Sequence, residues 1–314
     1  MRNILVTAIS GDVANGILKI LQNTEDNVFG CDVYDYPVGM DRVVKWWKID
    51  FASAENYIPN LISKCIENNI THIIPVNEKE ISEIKKNIDL FQQKNIKVVI
   101  NDGKIIDTFL DKYLTYKYLS DIKGVNVPKT FEIDEYVEDG RKYIIKLRKA
   151  CGSKYIRKIS SREELSDLPY PEGEFILQEY LPDEGQEYTV GVFSDGENVN
   201  TIIFRRKLKD GYSAFVEYVE DDTISNMAIQ IAHNIKLKGY INIQLRKKGG
   251  LNYIFEINPR ISGTVVFRDM LGFRDVIWWL DLIDGKRVPE YEKKWKRAIG
   301  IRELNEKYVV QEEK

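Results

Sequence analysis

The stretch Tyr253-Ile254-Phe255-Glu256-Ile257-Asn258-Pro259-Arg260-Ile261-Ser262-Gly263-Thr264 decides how the rest of this chain is read. An apolar run delivers a carboxylate, an amide and a guanidinium to one small region. Glu256 and Asn258 are two apart, so on a strand they point the same way. Carboxylate and amide oxygens are hard donors suited to Mg²⁺. Pro259 cannot donate to a ladder and ends the strand. Arg260 then emerges beside the metal, where a transferring phosphoryl group needs a cation. Alone, such a triplet is more often a strand end with solvated polar residues. The flanking Pro-Arg-Ile-Ser-Gly and the segments upstream turn the reading towards chemistry.

Upstream, Lys146 ends the apolar strand Tyr143-Ile144-Ile145, where a lysine reaches a phosphate as a point charge. Arg148-Lys149-Ala150-Cys151-Gly152-Ser153-Lys154 follows. Small residues flanked by cations between two strands suit a loop folded over a triphosphate, with backbone N–H groups and the Ser153 hydroxyl donating. A solvated basic hairpin explains the same segment equally well. Arg205, Arg206 and Lys207 form a basic cluster at a strand end. One of them holds an acyl phosphate or a substrate carboxylate, or all three are solvated. Arg268 is a lesser candidate of the same kind.

These segments together resemble the ATP-grasp superfamily of carboxylate–amine (or thiol) ligases, in particular members similar to the carbamoyl phosphate synthase large subunit. Glu-Ile-Asn-Pro-Arg-Ile-Ser-Gly matches that family's metal-binding strand, and the wider pattern extends from about residue 1 to about residue 290. Lys146, Gly152 and Ser153 fit the family's lysine and glycine-rich loop. Ala150 and Tyr155 stand where the family often has glycine, which implies a stiffer lid. The resemblance implies that Gln178-Glu179-Tyr180-Leu181 links two subdomains, with peptide groups of Glu179 and Leu181 on the adenine edge. It gives Glu187 the ribose hydroxyls, a role an acceptor-only carboxylate can fill. It sets Lys112 near the α-phosphate and makes Gln244 a ligand of a second metal ion. The implied cofactors are ATP with one or two Mg²⁺, Mn²⁺ being an alternative ion. The implied reaction is ADP-forming: a carboxylate becomes an acyl phosphate, which an amine then attacks. The partners are then a small-molecule carboxylate and amine, with a homodimer as a family-level expectation. A nucleotide-binding protein of this fold without ligase turnover is the alternative, motivated by Ala150 and Tyr155.

A length of 314 residues predicts about two domains. The composition is 43% hydrophobic and 30% charged, and Lys+Arg 46 nearly balances Asp+Glu 49. No basic tract stands out, which argues against nucleic acid as a partner. Two histidines exclude a multi-histidine zinc site, and three scattered cysteines suit a reducing cytoplasm. The N-terminus lacks the pattern of a signal peptide, and no apolar run spans a membrane; a cytoplasmic protein is expected.

Residues 1–105 alternate short apolar runs with helical periodicity, which predicts a doubly wound parallel sheet, the pre-ATP-grasp domain of the resemblance. They lack the G-x-G-x-x-G fingerprint, which disfavours a nicotinamide oxidoreductase. Residues 106–180 read as a small α+β subdomain with a helical entry at Asp111-Lys112-Tyr113, a lid hairpin and a helix starting at Ser161. Residues 181–314 read as the large α+β subdomain, with the metal strand and a charged tail. The two subdomains are expected to clamp the nucleotide.

Overall fold

The computed structural model describes residues 1–149, 155–166, 168–182, 186–209 and 211–303. The first sheet is parallel and joins β1 (Asn3–Thr7), β2 (Asn27–Asp32), β3 (Lys45–Lys48), β4 (His72–Ile74) and β5 (Lys97–Val98) in the order β3-β2-β1-β4-β5. Ile4, Leu5 and Val6 are fully buried. A continuous apolar run of this kind marks a parallel strand covered on both faces. Helix α1 (Asp12–Leu21) packs on one face, and α2 (Tyr57–Glu67), α3 (Glu78–Lys86) and α4 (Ile88–Gln92) on the other. The doubly wound sheet read from the sequence is present. Its edge strand β3 was not foreseen, because lysines at both ends of Lys45-Trp46-Trp47-Lys48 hide a strand signal.

The chain runs outward from β1 to β3, then returns past β1 to β4. The carboxyl ends of β1 and β4 therefore flank a topological switch point, where open α/β sheets hold their ligands. Asp12 opens α1 at this point and Glu78 opens α3. The α3 start is fixed by a capping box of Asn77 and Glu80, whose carboxylate also accepts from Thr7 Oγ1 (2.7 Å) and Tyr57 OH (3.0 Å).

Helices α5 (Gly103–Leu110) and α6 (Lys112–Ser120) lead to a small antiparallel sheet ordered β6-β9-β7-β8. Its strands are β6 (Thr130–Phe131), β7 (Tyr143–Leu147), β8 (Ile156–Ile159) and β9 (Phe175–Glu179). The helix expected from Ser161 is a single 3-10 turn, Glu163–Leu165. Glu164 accepts from the amides of Ser160 (2.9 Å) and Ser161 (3.2 Å), as a helix start requires. Pro169 and Pro171 follow too closely for the helix to propagate.

The large antiparallel sheet contains β10 (Glu187–Ser194), β11 (Val199–Lys209), β12 (Tyr212–Tyr218), β13 (Gly239–Lys248), β14 (Leu251–Asn258) and β15 (Ala298–Ile301). Their order is β14-β13-β10-β11-β12-β15. Helix α7 (Asp222–Asn234) covers one face, and α8 (Val265–Met270) and α9 (Asp275–Ile283) the other. Part of the expected charged tail is thus β15, paired with β12. One apolar core unites Ile4 and Val6, α1, α8 and α9 with Phe193, Phe204 and Tyr240 of the large sheet. The small sheet has a core of its own, built on Tyr136, Tyr143, Ile145 and Phe175.

Arg268 lies fully buried inside the shared core. It donates to Asp275 (Nη2 to Oδ2, 2.7 Å), Ser262 Oγ (2.9 Å) and Thr264 Oγ1 (2.6 Å), and its guanidinium stands 4.6 Å over the Tyr240 ring. It is a brace beneath the loop that follows β14, committed to Asp275, and does not line the cavity described below. This corrects its reading as a substrate contact. Among the described residues, no helix is long and apolar enough to cross a membrane.

Candidate active site

A cavity of about 600 Å³ lies between the small sheet, the large sheet and the switch point of the first sheet. That size suits a small-molecule ligand. Strand alternation builds its floor. Glu256 and Asn258 share a face of β14, and the antiparallel register sets Gln244 of β13 opposite Glu256 and Asn242 opposite Asn258. All four line the cavity. Pro259 ends β14, and its carbonyl is held by Asn101 Nδ2 at 2.9 Å.

Lys112 Nζ stands 3.5 Å from Glu256 Oε1. Burial pushes the Glu256 carboxyl up, but Lys112, Lys146, Arg260 and Arg206 outweigh it and hold it below its ordinary value. Lys146 is 6% exposed and donates to Gln178 Oε1 at 2.8 Å. Arg206 lines the cavity and donates to Glu187 and to Gln244 Oε1 (2.8 Å). Its neighbours on β11 do not line the cavity: Arg205 pairs with Glu217, and Lys207 lies over the Phe215 ring.

Glu187 is buried, and both of its oxygens are engaged. Arg206 reaches Oε1 (3.0 and 2.8 Å) and Arg246 reaches Oε2 (2.9 and 2.6 Å). These four bonds use the acceptor capacity of a carboxylate, so a ribose diol reaches Glu187 only if one arginine turns away. Glu179 N–H donates to the Lys129 carbonyl (2.8 Å), and the Leu181 carbonyl accepts from Arg246 (2.6 Å). Among the described residues, the opposite pair, the Glu179 carbonyl and the Leu181 amide, remains for a base edge. The Tyr180 ring packs under Lys158 Nζ at 4.2 Å, and Ile144, Ile156 and Phe255 supply apolar wall. Gly152 and Ser153 lie outside the described residues, as does Ala150. Tyr155 has φ 54°, a left-handed conformation that glycine adopts without strain. The backbone there is the one a glycine would serve.

Arg260 is aimed by a residue far away in sequence. Its Nε and Nη2 donate to Glu78 Oε1 (3.1 and 2.7 Å), and Nη2 also reaches Asn258 Oδ1 (3.3 Å). Sequence reasoning missed Glu78, Asp12 and Asn242. Asn242 is 1% exposed, accepts from Thr189 Oγ1 at 2.8 Å, and leaves Nδ2 without a partner among the described residues. A buried donor without a partner on a cavity wall fits a ligand oxygen. Only the alternation of β13 (Asn242, Gln244) hinted at it.

The ATP-grasp domain family matches residues 109–264, the span that holds this floor, the small sheet and the lysines. Residues 109–264 thus match an ATP-grasp domain. Tyramine–L-glutamate ligase of Methanocaldococcus jannaschii is 27% identical over 67% of this chain and 63% of its own length. The carbamoyl phosphate synthase large chain of Thermoanaerobacter sp. (strain X514) is 25% identical over 55% of this chain and 18% of its own length. The chain thus spans less than two thirds of either relative. A biotin carboxylase from Campylobacter jejuni, solved with β-γ-ATP, superposes with a TM-score of 0.72 at 17% identity. That match covers 92% of this chain and 72% of that one.

Two expectations follow for the ATP-grasp domain. Burial lowers the Lys146 pKa to about 8, the opposing pull of Glu256 being outweighed by burial together with Lys112 and Arg246. A folded-state pKa below the ordinary lysine value costs stability below about pH 8, a cost relieved as pH rises towards the ordinary value. Nucleotide phosphates favour the cationic form. ADP binding near pH 8 should therefore take up a proton, and affinity should fall as pH rises through that region. Calorimetry in buffers of different ionisation enthalpy reads the uptake, which Lys146→Met should remove. The second concerns the Arg260–Glu78 pair. Glu78→Gln weakens a charge-assisted bond of about 1.5–3 kcal/mol. ATP turnover should slow by about 10-fold or more with little change in nucleotide KM; an unchanged turnover number would exclude a positioning role.

Proposed function

We propose that the protein is an ADP-forming, Mg²⁺-dependent ligase that activates a carboxylate as an acyl phosphate for attack by an amine. The observation that carries this reading is the convergence of Glu256, Asn258 and Gln244 with Lys112, Lys146, Arg206 and Arg260 around one cavity. A carboxylate is a poor acceptor for an amine because oxide is a poor leaving group, and phosphorylation supplies a good one. The carboxylate oxygen bonds to the γ-phosphorus and ADP departs. The amine nitrogen then bonds to the acyl carbon and phosphate departs, a proton passing to phosphate or solvent. The protein's part is placement and charge neutralisation.

The oxygen donors fit Mg²⁺. Among the described residues, no group of three or more His, Cys, Asp or Glu could hold a metal ion by itself. One carboxylate flanked by amides instead suits an ion that arrives on the nucleotide and keeps phosphate oxygens as ligands. Glu256 and Asn258 would hold it, Gln244 serving a second ion; when bound, it neutralises charge on the β- and γ-phosphates. Lys146 and Lys112 then serve phosphate oxygens, a role the family resemblance extends to Gly152 and Ser153, which lie outside the described residues. Arg260 steadies the transferred group, and Asn242 offers its unpaired N–H. Adenine lies against Tyr180 and Leu181, reading the Glu179 carbonyl and the Leu181 amide. Glu187 turns to the ribose as Arg206 swings towards phosphate. A homodimer and a cytoplasmic setting complete the reading. The name of the methanogen relative supports the amine and amino-acid chemistry. The test is an ADP-release screen of carboxylic acids crossed with amines under Mg-ATP. Release should require one member of each class, and tight nucleotide binding with no turnover in any combination would refute the ligase.

A further inference from the structure

The cavity has an electrical direction. Lys112, Lys146 and Arg206 line it on α6 and the two antiparallel sheets, whereas Asp12 lines it at the switch point of the first sheet, where Arg260 is held by Glu78. The other acids on its wall are clasped by cations: Glu179 by Lys248, Glu187 by two arginines and Glu256 by Lys112. Asp12 differs. Its Oδ1 accepts from Arg302 Nη1, and Oδ2 takes no hydrogen bond among the described residues. Oδ2 lies over Gly263, 2.8 Å from where a Cβ at that position would stand. Arg302 is itself fixed, donating to the Gly263 carbonyl (2.5 Å) and the Ser213 carbonyl (3.1 Å), with its guanidinium 5.3 Å over the Phe267 ring. Arg302 therefore orients the Asp12 carboxylate and cannot follow a ligand into the cavity.

We propose that Asp12 Oδ2 receives the primary ammonium group of a substrate. This rests on the ligase reading, which assigns the switch-point side of the cavity to the acceptors. A ligand with a carboxylate and an ammonium enters such a field in one orientation, carboxylate towards Arg260 and ammonium towards Asp12. An ammonium brings three donors and no acceptor. It matches the acceptor-only Oδ2 of Asp12 on the cavity wall. The ammonium belongs either to the amino acid that is activated or to the attacking amine. The chemistry is shared, and binding separates the two sources.

The test is calorimetric titration of the full chain, loaded with Mg²⁺ and a non-hydrolysable ATP analogue, with matched pairs: L-glutamate and glutarate, L-alanine and propionate, tyramine and 4-ethylphenol. The ammonium-bearing member of at least one pair should bind about 10-fold or more tightly than its partner. Asp12→Asn should erase that margin. Gly263→Ala, which displaces Oδ2 without changing charge, should reduce it. A margin in the amino-acid pairs places the activated substrate's ammonium at Asp12, and one in the tyramine pair places the nucleophile there. ADP titrations of each variant check that the nucleotide site is folded. No margin in the wild type, or a full margin in Asp12→Asn, overturns the proposal. A margin without ADP release in the substrate screen would instead sink the ligase reading and leave this one standing.

Discussion

Replacing Glu256 by Gln is expected to cut acceptor-dependent ADP release by about 10³-fold while the protein remains folded. The size follows from the position of Glu256. It is the carboxylate on the face that β14 shares with Asn258, and four cations are arrayed on it. An amide in its place keeps the shape but removes the charge that opposes Lys112, Lys146, Arg206 and Arg260. On the ligase reading, a metal ion would then lose its one anionic protein ligand and meet an uncompensated positive field. The Glu256 pKa is depressed, so the carboxylate is ionised throughout the neutral range. Its contribution is present above the ordinary carboxylate pKa and fades as pH falls through the lower folded value. Single-turnover assays with and without acceptor, beside far-ultraviolet circular dichroism, check the outcome. Undiminished turnover would remove Glu256 from the reaction.

The second large effect is on stability. Arg268→Met leaves the Asp275 carboxylate fully buried without its partner, and withdraws the donors to Ser262 and Thr264. Removing one member of a buried ion pair costs about 3–5 kcal/mol. In a chain of this size that lowers the melting temperature on the order of 10 °C. Adding Asp275→Asn should recover part of the loss, because the stranded charge is then gone. Denaturant titrations of the single and double variants read both terms. A single variant within about 1 kcal/mol of wild type would contradict the structure. The position also constrains its neighbours: a Cβ at Gly191 would come within 2.7 Å of Arg268 Cδ, so even alanine there presses on the same brace.

What was legible in the sequence was what local pattern encodes. Period-two alternation set Glu256 and Asn258 on one face, and Pro259 marked where the strand stops. The hairpin at Gly249-Gly250 was legible because both residues require positive φ. The doubly wound sheet followed from alternating strands and helices. What was not legible is long-range. Glu78 meets Arg260 across 182 positions and Arg302 meets Asp12 across 290, and no periodicity within either segment encodes the other. Arg268 was misread because a basic residue near an active strand looks available to a substrate until its buried acid, seven positions on, is seen packed against it. Gln178 gave no sign that its side chain would hold the Lys146 ammonium.

The apolar mass shared by the first sheet and the large one has a mechanical consequence. Substrate floor and metal strand sit in a single rigid block, since any gap opened between them would wet Phe193, Trp278 and Ile17 together. The small sheet has its own apolar core and is tied to the rest by polar pairs such as Lys248–Glu179 and Arg148–Asp111, so on the ligase reading it is the part that would pivot. On the ligase reading, the catalytic stroke would then be Lys146 descending onto a stationary triphosphate, with Glu179–Leu181 as its axle.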